Sequence, residues 1–214
     1  MKLTSSACRK ALQEACLTPS DITHIVAVTS TDQGNPGYDL LVAQNLGLST
    51  SLQRTLLHGV GCAGGLSALR AAADIATAAS QRGRPARVLV AACELCSLFL
   101  RAELEAACRD GALHIAQALF SDAAAAVVVC NELALGKQKV IFELREWGSM
   151  IVPGTSEIIS LITEQNGMWY SLKVTSLLTM IVRYDIYHYQ RCPQNRYQRY
   201  HPHVRPTPQR FQYL

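Results

Sequence analysis

The residue best placed to do chemistry is Cys62, inside His58-Gly59-Val60-Gly61-Cys62-Ala63-Gly64-Gly65. A short apolar run, Thr55-Leu56-Leu57, enters this glycine-rich turn, and an alanine-rich stretch of helical composition leaves it. A thiol at the start of a helix feels the positive end of the helix dipole and nearby backbone N–H groups, which favour the thiolate. The glycines permit a sharp turn and let a substrate carbonyl approach the backbone, so the arrangement suits nucleophilic catalysis through a thioester. Three other readings compete. Gly59-Val60-Gly61-Cys62-Ala63-Gly64 also spells the dinucleotide pattern G-x-G-x-x-G, but the next strand-ending acid, Glu94, lies 30 residues past Gly64 where about 20 are wanted. A hydrolase-type elbow needs glycine two residues before the nucleophile, and Val60 stands there. The plainest alternative is a small buried thiol at a helix start, a common use of cysteine.

Two further constellations are weaker. Cys93-Glu94-Leu95-Cys96 has the spacing of a zinc or redox pair, but it ends the apolar run Val88-Leu89-Val90-Ala91-Ala92 and no second pair follows to complete a tetrahedral site. Buried thiols in a reducing compartment, the cytoplasm by default, account better for the eight cysteines, and no metal is expected. Residues 174–214 hold six arginines against one acid, Asp185, interleaved with tyrosines. The net charge of +4 therefore resides in this tail, and the remainder of the chain is −1. Such a mixture resembles a stacking-and-phosphate surface, but it is equally the composition of an unfolded extension, so nucleic acid is not expected as a partner.

The elements that must position Cys62 alternate. Helices are predicted over Ala7–Ala15, Asp39–Leu46 (closed by Gly47), Cys62 to about Ser80, and Leu98–Cys108. Strands are predicted over His24–Thr29, Leu52–Leu57, Arg87–Cys93, Ala123–Cys130 and Lys139–Trp147. The strands are apolar on both faces, which implies a layered α/β architecture with a covered sheet. The loop Ser30 to Gly37 is too polar and too rich in turn residues to be core. From Val174 the periodicity stops, and four of the eight prolines fall beyond it.

With 214 residues, 49% of them hydrophobic, the chain can bury a sizeable core. No run of about 18 apolar residues suggests a membrane span. Met1 to Ser6 leads directly into an amphipathic pattern, so no secretory leader is expected.

Six segments then carry a specific resemblance. They are Asn35-Pro36-Gly37-Tyr38-Asp39, His58 to Gly65, Gly83-Arg84-Pro85-Ala86-Arg87-Val88-Leu89-Val90, Cys93 to Cys96, Ala118-Leu119-Phe120-Ser121-Asp122 and Ile151-Val152-Pro153-Gly154-Thr155. In order and spacing the chain resembles type III polyketide synthases, the chalcone/stilbene synthase family, and among these its fungal alkylresorcinol- and pyrone-forming members. The resemblance implies a thiolase-like α/β fold, incomplete here. Residues 1–173 would be part of the family's N-terminal domain, and 174–214 a non-homologous basic Tyr/Pro-rich tail, expected to be disordered. It also implies a homodimer that needs no cofactor beyond its substrates, acyl-CoA and malonyl-CoA. Cys62 matches the acyl-accepting nucleophile. Phe120 matches the phenylalanine that gates the passage from the CoA tunnel to the reaction cavity, where an apolar ring bars water. Asn35 matches the loop residue that reaches across the dimer interface, and Cys96, Ser97 and Phe99 fall in the segment that lines the cavity.

The departures bear on activity. Family members run to roughly twice this length, and their catalytic His and Asn lie in the half without a counterpart here. None of His24, His58 and His114 stands in the matching position. The imidazole and amide would stabilise the enolate formed when malonyl-CoA loses CO2. The chain as it stands is therefore expected to be inactive in condensation. The alternatives are a non-catalytic dimerisation partner or a gene-model fragment, since the resemblance stops at Lys173-Val174. Ala123 also replaces the glycine usual after Asp122.

Overall fold

Strand β1 (His24–Val28) shows how the sequence covers both faces of one sheet. Successive side chains of a strand point to opposite sides. Ile25 and Ala27 enter one core cluster, Val26 and Val28 enter another, and all four are buried. The computed structural model describes residues 2–32, 34–111, 118–136, 140–145, 147–149, 153–154, 159–164, 167–172 and 211–213. Strand β1 lies between β2 (Gln53–Leu57) and β3 (Arg87–Glu94), parallel to both. On its other side β3 pairs antiparallel with β4 (Ala123–Cys130), from Arg87 opposite Cys130 to Glu94 opposite Ala123. The short β8 (Phe211–Tyr213) pairs antiparallel with β4 and with β5 (Phe142–Leu144), which completes the far edge and gives the order β2-β1-β3-β4-β8-β5.

Helices α1 (Lys2–Glu14) and α2 (Tyr38–Leu46) cover one face, where Cys8, Leu12, Val42 and Leu46 meet Ile25, Leu89 and Val128. Helix α3 (Gly64–Gln81) covers the other. Its Ala68, Ala72 and Ala76 recur every four residues, so they form one stripe, and all are fully buried against Val26, Val28, Val88, Val90 and Val129. Alanine lets the helix lie close to the sheet, and each fully buried valine beneath it contributes about 1.5–3 kcal/mol. One polar residue ties the end of β4 to the loop before β3. Asn131 is fully buried; its Oδ1 accepts from the N–H of Ala86 (3.0 Å) and of Ala134 (3.1 Å), and its Nδ2 donates to Arg84 O (2.8 Å) and Ala76 O (3.4 Å).

The chain divides into two compact units. The first comprises Met1–Leu98, Phe120–Ser149 and Gln209–Leu214 and holds the sheet with α1 to α3. The second comprises Phe99–Leu119 and Met150–Pro208. It holds α4 (Leu100–Asp110) and an antiparallel hairpin, β6 (Ile159–Glu164) with β7 (Gly167–Leu172), whose β7 packs against α4.

Several boundaries differ from the sequence reading. Helix α1 starts at Lys2 rather than Ala7, because Thr4 and Ser5 are buried and extend its inward face. Helix α3 starts at Gly64, and Cys62 lies in a 3-10 turn, Gly61–Ala63, just before it. A second 3-10 turn, Cys96–Phe99, precedes α4, so the helix begins at Leu100. The strand expected over Lys139–Trp147 is only three residues long. Hairpin β6–β7 lies where the sequence reading predicts no element, although Asn166-Gly167 between two alternating segments is a hairpin signal. The tail, expected to lie outside the fold, contributes β8 (Phe211–Tyr213) between β4 and β5. A strand edge presents unpaired backbone groups, and the segment Phe-Gln-Tyr has the aromatic content that favours pairing. The boundary at residues 173 and 174, and the rest of the tail, lie outside the described residues; of the Ile151–Thr155 segment only Pro153 and Gly154 are described.

Candidate active site

The chain leaves β2 at Leu57 and must reverse within a few residues to start α3 behind the sheet. Gly59 (φ 73°) and Gly61 (φ 53°) make the reversal in left-handed backbone that side chains rarely adopt. Gly64 serves a different need: a Cβ there would sit 2.8 Å from Val28 Cγ2, so the first turn of α3 can press on the end of β1 only as glycine. The turn is closed by Gly64 N–H donating to Gly61 O. Its flank at β2 is held by Thr29 N–H donating to Leu57 O (3.3 Å). Cys62 is exposed at the crest of this turn, two residues before the helix.

The other thiols differ in surroundings. Cys8, Cys93 and Cys130 are buried. Burial pushes the Cys8 thiol up to about 12 and the Cys130 thiol up to about 11, so both stay protonated at neutral pH. Cys16 and Cys108 are exposed but lie at the C-terminal ends of α1 and α4, not ahead of a helix as Cys62 does. Among the described residues no group of three or more His, Cys, Asp or Glu side chains could hold a metal ion.

The ends of β1 and β3 are clamped together beside this turn. Glu94 accepts from Ser30 N–H through both carboxylate oxygens (2.9 and 3.1 Å), and Leu95 N–H donates to Thr31 Oγ1 (2.9 Å). Loop and strand thus hold each other reciprocally, and the loop carries on to the exposed Asn35. The 3-10 turn after β3 is anchored at Ser97, whose backbone N–H (2.7 Å) and hydroxyl (2.8 Å) both donate to the Asp122 carboxylate. These bonds, the backbone one first, hold the Asp122 carboxyl below its usual range. Phe120, two residues before Asp122, exposes 41% of its surface. Cys96 is half-buried.

The sequence-predicted residues therefore fall into two groups. Cys62, Asn35, Cys96, Ser97 and Phe120 belong to the first unit, on the loops and turns that follow β1, β2 and β3 or precede β4. Phe99 belongs to the second unit and is buried. The structure joins Ser97 to the Phe120 segment through Asp122, and the Asn35 loop to the Cys62 turn through Thr29 and Leu57. Sequence reasoning missed the pairing partners Asp122, Thr31 and Tyr38. Their polar atoms in otherwise apolar or turn-rich surroundings were the available signal.

A sheet covered by α1 and α2 on one face and by α3 on the other, with a cysteine turn leading into α3, is a thiolase-like α/β arrangement. Residues 1–132 match the model of "Chalcone and stilbene synthases, N-terminal domain", and the chain belongs to this family of type III polyketide synthases. It is 50% identical over 170 residues to the type III polyketide synthase pspB of Penicillium soppii, an alignment covering 77% of this chain and 43% of that protein. It is 36% identical over 167 residues to the acylalkylpyrone synthase csyB of Aspergillus oryzae, covering 77% of this chain and 42% of that one. Among solved structures it superimposes on the fungal type III polyketide synthase ORAS with a TM-score of 0.77 at 39% identity, covering 83% of this chain and 47% of that one. For the type III pentaketide synthase of Neurospora crassa the TM-score is 0.70 at 34% identity, covering 90% and 53%. The chain thus spans about half the length of the relatives it matches. No helix among the described residues is long and apolar enough to cross a membrane.

Proposed function

We propose that this chain carries the acyl-loading half of a type III polyketide synthase of the alkylpyrone- or alkylresorcinol-forming type. The observation that carries the proposal is Cys62, exposed on a glycine turn at the head of α3 within the family-matching region. The Cys62 thiolate attacks the carbonyl of an acyl-CoA; the C–S bond to CoA breaks and CoA thiolate leaves, so the acyl group ends as a thioester on the protein. In the full reaction malonyl-CoA then loses CO2, and its enolate attacks that thioester carbonyl, expelling the Cys62 thiolate. Phe120 bars water from the cavity, Cys96 and Ser97 line it, and Asn35 faces a second copy across a homodimer interface. The substrates are acyl-CoA and malonyl-CoA, and the reaction takes place in the cytoplasm.

Condensation needs the enolate to be stabilised, which the resemblance assigns to a His and an Asn outside residues 1–173. The 214-residue chain by itself should load but not condense. The test is incubation with a long-chain acyl-CoA and malonyl-CoA, with products read by mass spectrometry. An adduct on Cys62 without released polyketide is expected. A triketide pyrone or alkylresorcinol above the Cys62→Ala background would overturn the division of labour.

A further inference from the structure

We propose that Tyr38 is a positioning residue for Cys62, acting through Val28 on the two flanks of the nucleophile turn; this deepens the function proposed above and rests on it. Tyr38 opens α2 and is buried, 6% exposed, with its phenol at Val28, the end of β1, and at Ala91 in β3. Its phenol oxygen accepts from Val28 N–H at 2.9 Å and lies 2.9 Å from both Val28 O and Ala91 O, to one of which it donates its single proton. A side chain thus stands between the backbones of β1 and β3 at the point where β1 ends.

Val28 is the last residue of β1, and it touches both sides of the turn. Its side chain meets the bare Cα of Gly64, where any Cβ would come within 2.8 Å of Val28 Cγ2. The residue after it, Thr29, donates its N–H to Leu57 O, the last residue of β2 before the turn begins. Leu57 and Gly64 bracket Cys62 in the chain. The position of Val28 therefore sets both ends of the turn, and the Tyr38 phenol sets Val28. Tyr38→Phe keeps the ring and its packing but leaves the buried Val28 N–H without its acceptor, so Val28 must shift to find another. Misplacing a reacting group by about 1 Å can cost about 100-fold in a catalysed step, and a shift of a few tenths of an ångström should cost about tenfold.

Two readouts test this in the 214-residue chain. One is the rate of Cys62 acylation by a long-chain acyl-CoA. The other is native-state iodoacetamide labelling of Cys62 relative to Cys16, an exposed thiol at the far end of α1. Tyr38→Phe should slow acylation about tenfold and change the labelling ratio. Leu12→Ala, which opens a cavity in the same hydrophobic cluster, should raise labelling of buried Cys8 and Cys93 and leave that ratio alone. Gly64→Ala should change the ratio as well, and Val28→Ala added to it should bring the ratio back by removing the methyl that clashes. An unchanged ratio in Tyr38→Phe, an equal change in Leu12→Ala, or an unchanged ratio in Gly64→Ala would each overturn the proposal. If the wild-type chain is not acylated at all, the proposed function fails while the labelling ratio still decides the role of Tyr38.

Discussion

Truncating Asn131 to alanine should destabilise the first unit by an amount that follows from its three shorter hydrogen bonds. Ala86 is fully buried, and its N–H is bound to Asn131 Oδ1. Leaving such a donor without an acceptor costs about 1–3 kcal/mol. Ala134 N–H loses less, because it also donates to the Asn131 backbone carbonyl at 3.0 Å. Arg84 is exposed, so water can replace the lost donor to its carbonyl, and that bond is worth about 1 kcal/mol. The total is about 2–4 kcal/mol, which lowers Tm by about 5–15 °C in a protein of this size. Asn131→Asp separates hydrogen bonding from packing. It keeps the volume and the acceptor but turns the Nδ2 donor into an oxygen facing Arg84 O and Ala76 O. A carboxyl buried there has its folded pKa raised above the unfolded value, so the penalty is largest at neutral pH and shrinks as pH falls and the group protonates. Thermal denaturation at pH 7 and pH 5 measures both variants. If Asn131→Asp is as stable as the unchanged chain at pH 7, the hydrogen-bond account of Asn131 is wrong.

Three more expectations concern titration and reactivity. Burial lowers the pKa of His24, so the unfolded chain binds its proton first as pH falls below about 6.5; urea midpoints should drop between pH 7.5 and 5.5, and His24→Gln should flatten that drop. The Asp122 carboxyl is held below its ordinary value, so the contact with Ser97 is fully present above that value and is lost as pH falls through the lowered one. The protection of the Ser97 amide relative to its intrinsic exchange rate should therefore fall in strong acid but not between pH 7 and 5, and Asp122→Asn should remove that fall. Iodoacetamide near neutral pH should label Cys62 ahead of Cys8 and Cys130, whose thiols burial keeps protonated; equal labelling in the native state would contradict the placement of these cysteines.

The strands were legible because an unbroken apolar run marks them, buried on both faces throughout Ile25–Val28 in β1 and over Val128–Cys130 at the end of β4. The central helix was legible from its alanines, and the end of α2 from Gly47. Cys62 stood out because of the glycines around it; the structure uses Gly59 and Gly61 for the turn, and Gly64 for a close approach of α3 to β1 that the sequence reading did not assign. What the sequence hid is long-range. Whether Tyr38 packs as an aromatic or bonds two strand ends depends on Ala91, 53 residues away. The link from Ser97 to Asp122 likewise spans 25 residues and leaves no local pattern. The exact start of α3 was off by two residues because a 3-10 turn and a helix share the same composition. The strand Phe211–Tyr213 has no periodic context at all, being three residues in a tail without other pattern.

The central claim is that Cys62 is an acyl-accepting nucleophile. The most direct measurement is intact-protein and peptide mass spectrometry after incubating the chain with a long-chain acyl-CoA, beside Cys62→Ala. The account predicts one acyl group per chain, linked as a hydroxylamine-labile thioester to Cys62 and missing from Cys62→Ala. An unmodified Cys62, or the same adduct level in Cys62→Ala, would contradict it.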